Sequence, residues 1–64
     1  MRIYKIHGKK NTPGCIFAIL KDERIWMESP VMGCCFREDL TTKKLSRHIN
    51  QMKAEGFTVE EVTL

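Results

Sequence analysis

Cys15-Ile16-Phe17-Ala18-Ile19-Leu20 is the stretch that decides the fold of this 64-residue chain. A β-strand sends successive side chains to opposite faces, so a strand with one wet face alternates apolar and polar residues. This run does not alternate. Both of its faces call for shelter from water, which places it centrally in a sheet.

Strands are expected on either side of it. Residues 1–7 carry the β-formers Ile3, Tyr4 and Ile6, with Arg2 and Lys5 breaking the apolar run. Between them and the central run, Gly8-Lys9-Lys10-Asn11-Thr12-Pro13-Gly14 has the residues of a hairpin loop. On the other side, Lys21-Asp22-Glu23 makes a turn into a third strand, Arg24-Ile25-Trp26-Met27-Glu28. Ser29-Pro30 ends it, because proline lacks the amide hydrogen a ladder needs and holds the preceding residue extended. Residues 30–38, with Gly33 interrupting Val31-Met32 and Cys34-Cys35-Phe36, read as a buried connection.

The helix has clear signals at both ends. Thr41 suits the N-cap, and Leu40 with Leu45 matches a hydrophobic staple. Leu45, Ile49 and Met52 recur at helical spacing as one buried stripe, and Gly56 followed by Phe57 closes the helix. The spacing predicts a helix from Thr42 to Glu55. The remaining segment is β-prone but changes phase: Phe57 and Val59 share one face, Val62 and Leu64 the other. A bulge near Glu60-Glu61 would reconcile them.

The expected fold is a single α+β domain over residues 1–64. It is a small antiparallel sheet of three to four strands with one helix packed on one face, in the order β-β-β-α-β. One helix shelters only one face of a sheet. The other face is left to the connection containing Cys34 and Cys35 or to a second copy of the chain. A chain this short buries only about 60% of its unfolded surface and usually draws on a disulfide, a metal or a second subunit. The second copy is therefore favoured.

Composition bounds the function. At 42% hydrophobic residues the chain is too apolar for a solvated coil. It holds no apolar run near the ~18 residues a membrane span needs. The opening Met-Arg-Ile-Tyr-Lys-Ile lacks a signal core, which makes the cytoplasm the expected location. Three cysteines, Cys15, Cys34 and Cys35, cannot pair completely within one chain and are expected reduced and packed. With His7 and His48 they show no metal-ligand spacing, so no metal or other cofactor is expected. Adjacent Glu60 and Glu61 point to opposite faces of a strand, and no general acid and base fall together. The chain is expected not to be an enzyme.

Two functional expectations remain. The first is a non-catalytic interaction or regulatory module, acting through a homodimer or by docking on a larger protein, with Ile16, Ala18, Trp26 and Met27 at its interface. The alternative is nucleic-acid binding, permitted by a net charge of +3. It would use the polar helix face, Lys43, Lys44, Arg47 and Gln51, together with Lys9 and Lys10 in the hairpin loop. Leu45-Ser46-Arg47-His48-Ile49, continuing to Met52 and Gly56 with a strand after it, resembles the recognition helix and first wing strand of winged-helix repressors. The resemblance covers about a quarter of the chain and implies that Arg47 and His48 face the groove. In that family two more helices come first, where this chain reads as strands.

Overall fold

The computed structural model describes all 64 residues. Its elements are β1 (Arg2–His7), β2 (Cys15–Ile19), β3 (Ile25–Ser29), β4 (Gly33–Phe36), α1 (Thr42–Ala54) and β5 (Thr58–Thr63). The strands form one antiparallel sheet in the order β4-β3-β2-β1-β5, so the class is α+β with five strands. The uninterrupted apolar run, β2, lies in the middle.

Tight turns set the register. In the first hairpin Lys9 and Thr12 exchange backbone hydrogen bonds of 3.0 and 2.8 Å around Lys10-Asn11, with Asn11 at φ 66°. Below this turn the strands come very close. A Cβ on Gly14 would stand 2.0 Å from the carbonyl oxygen of Ile6, which only glycine avoids. Lys21–Glu23 form the second turn, closed by hydrogen bonds between Leu20 and Arg24 and between Glu23 and Leu20, each 2.9 Å.

Residues 30–38 depart from the expected buried connection. The Ser29 hydroxyl accepts hydrogen bonds from the amides of Val31 and Met32, each 3.2 Å, and Gly33 takes φ +78° at the end of that turn. Gly33 therefore belongs to the turn and starts a strand. β4 pairs with β3, Trp26 opposite Phe36 and Glu28 opposite Cys34. As an edge strand it has no neighbour beyond it, and all four of its residues are exposed. Cys34 and Cys35 are thus exposed free thiols, contrary to the expected packing.

The bulge expected in the last strand is absent. β5 pairs continuously with β1, Val59 opposite Ile6 and Val62 opposite Ile3. Its change of phase delivers one valine to each face of the sheet. The helix stands on the face carrying Tyr4, Ile6, Phe17, Ile19, Ile25 and Met27, which with Leu45 and Ile49 form the core. Leu45 is fully buried and Leu40 packs against the cluster, as a staple requires. The Thr41 hydroxyl accepts from the Lys44 amide at 3.2 Å. At the other end Phe57 N–H donates to Met52 O (3.0 Å) and Gly56 N–H to Lys53 O (3.1 Å), with Gly56 at φ 97°. This is the double-bonded glycine closure of a helix.

Candidate functional site

The second face of the sheet has no covering element. Directly opposed residues lie on the same face, so the register defines a row that crosses all five strands: Val62, Ile3, Ala18, Trp26, Phe36. Every member is apolar. Ala18 is only 7% exposed because larger neighbours flank it, whereas Phe36 is 38% exposed and Val62, Ile3 and Trp26 are half-buried. Shelter for this row comes from its own members, without a second layer.

A mixed row lies beside it: Glu60, Lys5, Ile16, Glu28, Cys34. Trp26 Nε1 donates to Glu28 at 3.2 Å, and His7 Nε2 lies 3.2 Å from Glu60. Lys5 makes no ion pair within the chain. Lys5, His7, Ile16, Glu28, Pro30 and Cys34 border a shallow cavity of about 470 Å³ that continues this face toward the turn after β3. At the β4 end, Trp26 and Phe36 meet edge to face with ring centroids 4.9 Å apart. The Arg24 guanidinium lies 3.7 Å from the centroid of Phe36 and pairs with Glu38 at 2.7 Å. These contacts hold the large aromatic half of the row in fixed positions.

Of the interface residues expected from sequence, Ile16, Ala18 and Trp26 share this open face. Met27 does not: it is 2% exposed beneath the helix, one residue out of phase with Trp26. Sequence reasoning passed over Ile3, Val62 and Phe36. The change of phase in β5 was a signal for Val62, since a strand with apolar residues on both sides serves a sheet with two apolar faces.

The basic residues expected to act together stand at both ends of the helix. Lys43, Lys44, Arg47 and Gln51 lie on the solvent side of the helix, the lysines in its first turn. The hairpin loop lies at the opposite end. Lys9 Nζ donates to the Glu55 carbonyl at the helix C-terminus and stands 4.5 Å over the centroid of the Phe57 ring. A helix of 13 residues spans about 20 Å. Lys9 is engaged as a helix cap, at the end that carries Lys53 and opposite Lys43 and Lys44. His48 is exposed, with its ring edge-on to Phe17 at 5.9 Å.

Burial pushes the Cys15 thiol up, which disfavours its thiolate. No group of three His, Cys, Asp or Glu side chains is placed to hold a metal ion. The strongest polar pair is Arg37 with Asp39, two parallel hydrogen bonds of 2.9 and 2.8 Å. Those bonds hold the Asp39 carboxyl down to about 2. Arg37 also reaches Met27 Sδ at 3.3 Å, and the pair thereby pins the segment between β4 and the helix.

Comparison with protein-family models, curated proteins and solved structures finds no match. No helix is long and apolar enough to cross a membrane.

Proposed function

We propose that the protein is a non-catalytic interaction module whose working surface is the open face of its sheet, and that this surface takes another protein's flat apolar face. The observation that carries the reading is the five-residue row Val62-Ile3-Ala18-Trp26-Phe36, apolar from one edge of the sheet to the other. An open antiparallel sheet ordinarily puts polar side chains on its wet side. A contiguous apolar face bordered by charge, as this one is by Lys5, Glu28, Glu60 and Arg24, marks a protein contact. Aromatic residues with an arginine stacked on them, as at Trp26, Phe36 and Arg24, are the side chains that dominate such contacts. The non-catalytic part of the reading is supported by the half-buried Cys15 thiol, which burial pushes up, and by the lack of a hydrogen bond from Cys15 or Cys34 to His7, which borders the same cavity and is held by Glu60.

The test is a photoreactive amino acid placed at Ile16 on the open face or, as a control, at Asn50 on the solvent side of the helix, in cells producing the full chain. Irradiation is expected to give a discrete protein adduct from position 16 and none from position 50. Adducts from position 50 alone, or from neither position, would overturn the reading.

A further inference from the structure

We infer that the partner on the open face is a second copy of this chain, related by a twofold axis running along β2. The inference rests on the docking reading above and adds the partner's identity and geometry.

The sheet order makes β2 the midline, with two strands on either side. A twofold axis along β2 therefore sets β3 over β1 of the second copy and β4 over its β5. In the apolar row this puts Trp26 against Ile3 and Phe36 against Val62, large side chains from one half meeting smaller ones from the other. Ala18, on the axis, faces itself and lets the layers close to the about 10 Å of packed sheets. In the mixed row Ile16 faces itself and Lys5 faces Glu28. Lys5 has no ion pair within the chain, and its counterpart has the opposite charge. Size in the apolar row and charge in the mixed row are thus self-complementary about this axis, the condition for an isologous contact, whereas the next row sets Arg24, already paired with Glu38, over the Met1 amino terminus.

The alternative twofold, across the strands, does worse. It stacks the apolar row on itself, Trp26 on Trp26 and Phe36 on Phe36, with a gap at Ala18. It also exchanges the Lys5–Glu28 contacts for Glu28 against Arg24 and Lys5 against the amino terminus of Met1, so that size, more than charge, separates the two axes. The area fits a modest dimer. Five strands about 4.8 Å apart, each with five residues of about 3.3 Å, give a face of roughly 400 Å² in plan. Side-chain relief brings this to the lower end of the about 600–1,000 Å² per partner of specific interfaces.

The experiment combines sedimentation of the full chain up to millimolar concentration with charge reversal and isotope-filtered NMR on a mixed labelled and unlabelled sample. Lys5→Glu and Glu28→Lys are each expected to weaken the dimer on the order of 100-fold, since each creates two like-charge contacts costing about tenfold apiece. The double variant restores both pairs and is expected to return affinity to within about threefold of the original. Circular dichroism separates loss of association from loss of folding. The unmodified chain provides an independent readout: intermolecular contacts from the Trp26 ring to the Ile3 methyls.

A chain that stays monomeric at millimolar concentration would overturn this inference while leaving the docking reading to its own crosslinking test. A dimer with Trp26-to-Trp26 contacts, or one whose double variant is not rescued, would overturn the axis alone. A dimer formed through the helix face would overturn this inference, and the docking reading with it where position 16 gives no adduct.

Discussion

At the scale of single residues, the closest constraint is Gly14. Its α-carbon faces the Ile6 carbonyl so closely that any Cβ must push β1 and β2 apart at the start of the central strand. Gly14→Ala is expected to destabilise the chain by about 3 kcal/mol, as overpacking against backbone does. A urea midpoint equal to that of the unmodified chain would refute the close approach. Asp39 governs a pH effect. Its carboxyl is held at about 2 by the Arg37 hydrogen bonds, below an ordinary value of 3.8. The unfolded chain thus takes up this proton first, and stability is lost as pH falls through the window from about 4 to about 2. Asp39→Asn is expected to flatten that part of a plot of melting temperature against pH, with no change of slope above pH 5.

At the scale of elements, the helix was the most legible part of the sequence. Its cap, staple, stripe and glycine closure all rest on local spacing, and Thr41, Leu40, Leu45, Gly56 and Phe57 each take the place that spacing implies. Thr41→Ala is expected to cost about 1 kcal/mol and Leu45→Ala about 3 kcal/mol, measured by equilibrium unfolding. Similar losses at the two sites would mean that the helix is held by its ends more than by its buried stripe. The strands were legible where pattern alone decides, as in β2, and not where pairing decides. Gly33 marks a turn only once its positive φ is seen, so β4 passed for a buried connection. Likewise Val62 suggested a bulge because the sequence cannot say whether the second face of the sheet is dry. Met27 and Trp26 are adjacent and both large and apolar; only register separates the core residue from the surface one.

At the scale of the whole molecule, nine of 64 residues are buried, all of them apolar. A core of this size gives a domain of marginal stability. Association across the open face would bury Ile3, Ile16, Trp26 and Val62 as well and link folding to concentration. The midpoint of thermal unfolding is accordingly expected to rise with chain concentration over a range from micromolar to millimolar. A midpoint independent of concentration would mean that each chain carries all of its own stability. The basic residues are strung along the helix, from Lys43 and Lys44 in its first turn through Arg47 to Lys53 in its last, where Lys9 caps it.

The placement of the helix on a single side of the sheet also limits how far the molecule can assemble. A bare sheet can stack on both sides without end; this one has one stackable side, and a single layer uses it up. Lateral growth is obstructed too, since one border is a four-residue strand opening on a glycine and the other carries Glu60 and Glu61 tied to His7 and Arg2. An apolar surface that in another architecture would seed fibres has here only one side on which a further layer could add.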